Sequence, residues 1–348
     1  MTTLLDIMPV EKGTARKSPA APVSPVVAAE PARQALINAA AYEFVRDGFQ
    51  TLLTPGPRLE PHLRGVLTDV LSHPGSLVRA QLAYSVMTAL GAGPDAARAW
   101  GCAIEYFHTA SLLFDDLPSM DNATQRRGHA CPHITHGEGA AILGALALIN
   151  EGYRLLWSVL TARPDAARAA ATALVSQCLG AEGILNGQAH DLYFDRATHD
   201  EDAVLRVASG KTVTLTRLTL VLPALICGAS PAHVDALEAV AASWGLSYQI
   251  MDDFKDFLMG PSDTGKTAAR DRALDRPNLP LTIGCEAALQ SLNTWLTRGR
   301  TAIEGLTGSV KGLDALLRLQ ATLEAERRNL VAKLTPVSGA STAPGLPA

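Results

Sequence analysis

The chain has 348 residues, with 30 Lys and Arg against 34 Asp and Glu for a formal net charge of −4. With no long run of Lys and Arg, that balance leaves no basic footprint for nucleic acid, so any anion site has to be local. Apolar residues reach 47% while aromatics are only 5%; the length alone would allow about two domains, but this Ala- and Leu-rich make-up reads as one large all-helical domain.

Residues 1–32 are rich in Ala, Pro and Val with scattered charges and read as a flexible leader; residues 335–348 read the same way as a tail. Between them, from 33 to 334, apolar residues recur at helical spacing, as with Ala103, Phe107, Ala110 and Phe114, and no convincing period-2 series predicts a strand. Breaks are expected at Pro55-Gly56-Pro57, Pro74-Gly75, Gly91 to Pro94, Pro118, Gly128 to Pro132, Pro164, Pro223, Pro231 and Pro261, leaving segments of helix length. No apolar run reaches the ~18 residues of a membrane span and the first residues lack a signal-peptide pattern, which argues against membrane insertion or secretion. The five cysteines, Cys102, Cys131, Cys178, Cys227 and Cys285, are odd in number and widely spaced. They read as reduced, mostly buried thiols of a cytoplasmic protein.

The first chemistry-bearing stretch ends an apolar run, A-I-E-Y-F-H-T-A-S-L-L-F-D-D-L-P-S-M-D, and places Asp115 and Asp116 near Asp121. The doublet falls at a helix C-terminus, where the dipole disfavours negative charge, and a bend at Pro118 would let Asp121 approach it. Carboxylates this close resist joint ionisation and need a cation or a proton to share. Arg126 and Arg127 follow, and read either as guanidinium donors to phosphate oxygens or as an ordinary solvated loop. His108 lies two turns before Asp115 on roughly the same face, where a satisfied core histidine is the commoner role. His129, Cys131, His133 and His136 match no common zinc spacing and read as a polar loop.

Further on, G-I-L-N-G-Q-A-H-D-L puts Gln188 and Asp191 on one helical face, and S-G-K-T contains Lys211 and Thr212. Lys211 is suited to neutralising a diphosphate, although a helix-surface lysine is the plainer reading. The second acidic cluster, Y-Q-I-M-D-D-F-K-D, supplies Asp252, Asp253 and Asp256, with Gln249 one turn earlier. Apolar neighbours Tyr248, Ile250, Met251, Phe254 and Phe257 argue for partial enclosure rather than a solvated acidic stripe. Lys266 follows a Gly- and Pro-containing loop as a further candidate phosphate donor. Hard carboxylate oxygens suit Mg²⁺, which takes few protein ligands and fills its sphere with water and phosphate; two such clusters can grip one diphosphate through bridging ions.

At these residues the sequence resembles the trans-isoprenyl diphosphate synthases, and is most similar to the bacterial geranylgeranyl diphosphate synthases of carotenoid pathways. The likeness runs from about residue 60 to 290. It rests on H-T-A-S-L-L-F-D-D-L-P-S-M-D followed by R-R-G, on G-Q-A-H-D, K-T, Y-Q-I-M-D-D-F-K-D and G-K-T. The resemblance implies an all-α homodimer of the isoprenoid synthase type. Mg²⁺ would bridge Asp115, Asp116, Asp121, Asp252, Asp253 and Asp256 to an allylic diphosphate, helped by Arg126, Lys211, Thr212, Gln249 and Lys266. It further implies that isopentenyl diphosphate is the second substrate, attacking an allylic cation in a dry pocket. A small side chain five residues before the first Asp, here Ala110 with Ser111 after it, implies a C20 product.

One stretch departs from the pattern. Where the family carries a Gly-Lys-Arg-x-Arg-type segment, this chain reads G-S-L-V-R: Gly75 and Arg79 fit, while Ser76 and Leu77 replace two cations. At ~1.5–3 kcal/mol per charge-assisted bond the loss amounts to about a hundredfold or more in binding of isopentenyl diphosphate unless Arg79, His108 and Arg127 compensate. Arg276 stands where Lys is usual. The departure motivates two alternatives, a class I terpene synthase acting on one prenyl diphosphate and a non-catalytic partner subunit of a synthase.

Overall fold

The computed structural model describes residues 35–195, 200–258 and 276–334; the expected leader, the tail, the break at Pro261 and Lys266 lie outside the described residues. The described residues belong to one compact unit, almost entirely helical. In chain order the first helices are α1 (Ala39–Thr51), α2 (Pro61–Ser72), α3 (Val78–Ala89) and α4 (Pro94–Asp115). After a short hairpin, β1 (Gln125–Arg126) and β2 (His129–Ala130), come α5 (Pro132–His136), α6 (Glu138–Leu160) and α7 (Asp165–Leu179). A π-helical turn (Ala181–Leu185) leads into α8 (Asn186–Leu192), α9 (Glu201–Ala208), a second π-helical turn (Ser209–Val213), α10 (Thr214–Ile226) and α11 (Pro231–Leu258). The chain closes with α12 (Leu279–Ile283), α13 (Cys285–Ser309) and α14 (Asp314–Leu334).

The helix boundaries follow local chemistry. Proline opens α2, α4 and α11, where its missing N–H is one the first turn leaves unpaired anyway. Asn38, Glu60 and Asp200 cap α1, α2 and α9 with side-chain oxygens. The helix α4 is the centre of the bundle, packing against α1, α3, α6 and α10. It buries Trp100, Ile104, Tyr106 and Phe107, and its polar aromatic atoms are satisfied: Trp100 Nε1 donates to the Leu218 carbonyl and Tyr106 Oη to that of Phe49. Close passage of α3 over α4 depends on Gly101, where a Cβ would stand 2.9 Å from the Ala80 carbonyl oxygen.

Two expectations are corrected. The hairpin is a strand pair that periodicity did not predict; it forms because Arg127 and Gly128 both take positive φ, 53° and 80°, the backbone of a type I′ turn, and the strands are too short to show alternation. Pro223 does not break the chain but sits inside α10. It is buried in the core, so packing there offsets the hydrogen bond it removes. All five cysteines are free, as expected, with Cys102, Cys131 and Cys178 buried.

Candidate active site

The helix α4 ends at Asp115 and is closed by Asp116, and the chain then doubles back as the bend at Pro118 led one to expect. Asp121 N–H donates to the Asp115 carbonyl at 2.9 Å, and Ala123 N–H to the Asp116 carbonyl at 3.1 Å. The tight hairpin that follows returns Arg126 onto Asp116. Its Nε lies 2.8 and 2.9 Å from the two carboxylate oxygens and its Nη2 lies 2.6 Å from Oδ1. Asp116 is 2% exposed, so Arg126 supplies the partner without which a buried carboxylate would be costly.

Asp115 is half-buried and keeps different company. Burial pushes its carboxyl up to about 6; Lys211 and Arg126 pull it down, while Asp121 and Asp191 raise it. Lys211 belongs to this group and not to a solvated helix face. Its Nζ donates to Asp191 Oδ2 at 2.8 Å. Burial works against its charge, but Asp115, Asp191 and Asp121 together outweigh that and push it up to about 12. The meeting of α8 with the second π-turn is a backbone contact: a Cβ on Gly187 would stand 2.3 Å from the carbonyl carbon of Gly210. Only glycines at both positions let Asp191 and Lys211 come together.

The second cluster lies on the last turns of α11 and is tied to the first by a circuit of hydrogen bonds. Thr212 Oγ1 donates to Gln249 Oε1 at 3.1 Å, and Gln249 Nε2 donates to Asp253 Oδ1 at 2.9 Å. Asp253 Oδ2 accepts from Leu279 N–H at 2.9 Å and the Asp253 carbonyl from Asn278 Nδ2 at 3.0 Å. Arg276, two residues before Asn278, then reaches the Asp191 carbonyl at 2.8 Å and Asp121 Oδ1 at 3.2 Å. Asp253, like Asp116, is 2% exposed with both carboxylate oxygens on protein donors. Asp252 is exposed and Asp256 half-buried, one turn apart on α11.

A second basic group forms where α3 begins. Arg127 lies directly over Gly75, where a Cβ would stand 2.2 Å from its Nη1. Arg79, Arg127 and Arg126 all act on His108, whose pKa falls well below the usual value, through burial first and these cations next. His108 is therefore neutral. Burial also lowers Arg79, with Glu105 and Tyr248 opposing that shift. Glu105 is 3% exposed, raised by burial, and accepts the Ala80 N–H at 3.1 Å in the first turn of α3. Sequence reasoning passed over Glu105; its signal was a lone carboxylate inside the apolar run of α4. Leu77 has a φ of 50° and is 1% exposed, so its side chain belongs to the core. The residues expected at the chain-length position are Ala110, fully buried, and Ser111, whose hydroxyl donates to the His108 carbonyl at 2.8 Å.

The stretch read as a polar loop is instead strand β2, which holds His129, and helix α5, which Cys131 caps and which carries His133 and His136, and its four residues go separate ways. His129 stacks on His73, His136 packs on Gly65, and Cys131 and His133 are buried. Among the described residues no three His, Cys, Asp or Glu side chains converge to hold an ion by themselves. In the acidic clusters the reason is that Asp116, Asp191 and Asp253 are turned onto Arg126, Lys211 and Gln249. The donor chemistry of the two clusters fits Mg²⁺: Asp115, with Asp121 held on Arg276, on one side and Asp252 and Asp256 on the other present the hard carboxylate oxygens that ion takes alongside water and phosphate.

An all-helical bundle carrying two linked acidic clusters beside buried cations is the architecture of the isoprenoid synthase class. A family model for polyprenyl synthetase matches residues 60–307, and the chain belongs to that family. Among curated relatives it is similar to the chloroplastic geranylgeranyl pyrophosphate synthase of Capsicum annuum, at 29% identity over 71% of this chain and 67% of that one. It is also similar to the farnesyl diphosphate synthase of Micrococcus luteus, at 29% identity over 77% and 91%. The fold matches that of the Helicobacter pylori geranyltransferase solved with magnesium and isoprenyl diphosphate, with a TM-score of 0.68 and 23% identity, covering 83% of this chain and 99% of that one.

Proposed function

We propose that this chain is a chain-elongating prenyltransferase, condensing an allylic diphosphate with isopentenyl diphosphate to give geranylgeranyl diphosphate, and that it works with Mg²⁺ as a cytoplasmic homodimer. The observation that carries the reading is the linkage of the two acidic clusters: Arg276 holds Asp121, the adjoining Asn278 and Leu279 hold Asp253, and Asp253 continues through Gln249 to Thr212, next to the Lys211 that pairs with Asp191. Asp115, Asp121, Asp252 and Asp256 would hold Mg²⁺; bound there, the ions supply positive charge to the departing diphosphate. Lys211, Thr212 and Gln249 orient the allylic diphosphate, and Lys266 is a further candidate donor. Asp116 and Asp253 act by positioning, the first by aiming Arg126 and the second by fixing α12 against α11.

Isopentenyl diphosphate would sit on Arg79, Arg127 and neutral His108. Breaking the allylic C–O bond leaves a cation, which the alkene of isopentenyl diphosphate attacks with its π pair, and loss of one proton restores the double bond. Apolar walls keep water from quenching that cation. The similar relatives include both farnesyl and geranylgeranyl synthases, so product length rests on this chain's own residues. Ala110 is a small, fully buried side chain one turn before the first cluster, which supports a longer product, and one turn deeper Phe107 packs edge-on to Tyr153 at 5.1 Å between ring centres.

The absent cations at Ser76 and Leu77 favour one second reading, a terpene synthase that ionises a single prenyl diphosphate. Product analysis with farnesyl diphosphate and Mg²⁺, with and without isopentenyl diphosphate, separates the two. A C20 diphosphate formed only when both substrates are present supports elongation. A hydrocarbon or alcohol released without isopentenyl diphosphate overturns it.

A further inference from the structure

Arg276 meets the acidic cluster from a direction that neither Asp motif foretells. It is 7% exposed, and its fork spans two separate elements. Nη1 donates to the Asp191 carbonyl at 2.8 Å and stands 3.9 Å from Asp191 Oδ2; Nη2 donates to Asp121 Oδ1 at 3.2 Å and to the Met120 carbonyl at 3.4 Å. The acids gathered here are Asp115, Asp121 and Asp191, and the other cations are already committed. Lys211 pairs with Asp191 and Arg126 with Asp116. Among the described residues, the ion pair of Asp121 is the one with Arg276.

We infer that Arg276 is a positioning residue, the counter-cation of the first acidic cluster, which holds Asp121 against Asp191 and competes with a divalent metal for Asp121 instead of contacting the substrate diphosphate. The inference rests on the reading of Asp121 as a metal ligand. Its physical basis is like-charge repulsion. Three carboxylates in one neighbourhood destabilise one another, and a planar guanidinium can bridge acceptors on two elements, which the point charge of a lysine does less well. Removing the fork therefore has two opposite consequences. The fold without divalent metal loses a cation it needs, while a divalent ion loses its competitor.

The test uses the full-length protein without substrate. Unfolding temperatures of wild type, R276Q, D121N and D121N/R276Q are measured in chelator, and Mg²⁺ binding to wild type, R276Q and R276K is measured by calorimetry. We expect R276Q and D121N each to melt lower, and the double variant to melt higher than the sum of the two losses predicts. We expect Mg²⁺ to bind R276Q about tenfold more tightly than wild type, ~1.4 kcal/mol, with R276K between them. Additive melting losses, or Mg²⁺ affinity unchanged or weakened in R276Q and R276K, would overturn the assignment. Should R276Q fail to fold, R276K and D121N/R276K carry both readouts. Wild type that binds no Mg²⁺ overturns the metal reading of Asp121 together with the competition argued here, whereas normal wild-type binding with an additive cycle removes the Arg276 assignment alone.

Discussion

Adjacent aspartates on one helix end here in unlike environments, because neighbours in sequence point about 100° apart on a helix. Asp115 stays beside Lys211 while Asp116 turns under Arg126; on α11, Asp252 is exposed while Asp253 is sealed between Gln249 and Leu279. If Asp115 and Asp252 anchor the metal-binding sides, Asp115→Ala and Asp252→Ala each abolish Mg²⁺-dependent turnover, and near-full activity in either sinks the assignment. Asp115 also sets a pH dependence. Its folded value of about 6 lies above the ordinary 3.8, so between about pH 4 and 6 the folded chain retains a proton that the unfolded chain has released. Stability in chelator then falls as pH rises through that window, by on the order of 3 kcal/mol. Urea unfolding at the two ends of the window checks this, and Asp115→Asn should flatten the slope. At the chain-length position, Ala110→Phe is expected to shorten the product, and an unchanged chain length by mass spectrometry would discard the cavity argument.

Between elements, the contact that matters most is the glycine-to-glycine approach of α8 and the second π-turn. Gly187→Ala would force a methyl to 2.3 Å from the Gly210 backbone, which neither backbone can yield cheaply. We expect a stability loss of roughly 2–3 kcal/mol and a sharp drop in turnover as Asp191 is moved off Lys211. Gly139 on α6, where a Cβ meets nothing within 4 Å, provides the control: Gly139→Ala should be neutral or slightly stabilising. Equal effects at the two sites would remove the special role of the α8 contact. The hairpin is a second such element. It has only two residues per strand, and its service is to aim Arg126, so its worth lies in one buried ion pair more than in its own hydrogen bonds.

Over the whole molecule, α6 carries an apolar stripe that its own bundle leaves uncovered, with Leu143, Leu146 and Trp157 each about half exposed. Such a stripe is the face we expect a second copy to cover in the proposed homodimer. Leu146→Glu should halve the mass seen by light scattering, and an unchanged mass would place the interface elsewhere. No helix among the described residues is long and apolar enough to cross a membrane.

The all-helical class, most of the helix breaks and both acidic clusters were legible in the sequence, because helical spacing, proline and clustered charge are local signals. The helix end at Asp115 and the return of Asp121 followed from the doublet and Pro118 alone. What the sequence could not rank were the members of each cluster. Asp116 and Asp253 look like their neighbours in sequence, and only the fold brings Arg126, Gln249 and the Leu279 N–H to them. The same holds for Arg276, which reads as a conservative change from lysine until tertiary contact sets it between Asp121 and Asp191, and for Glu105, whose partner lies on another helix. Sequence determined which residue types were present and on which helices. Tertiary structure decided which protein donor each carboxylate meets, Asp116 under Arg126 and Asp121 on Arg276, since those partners lie 10 to 155 residues away in the chain.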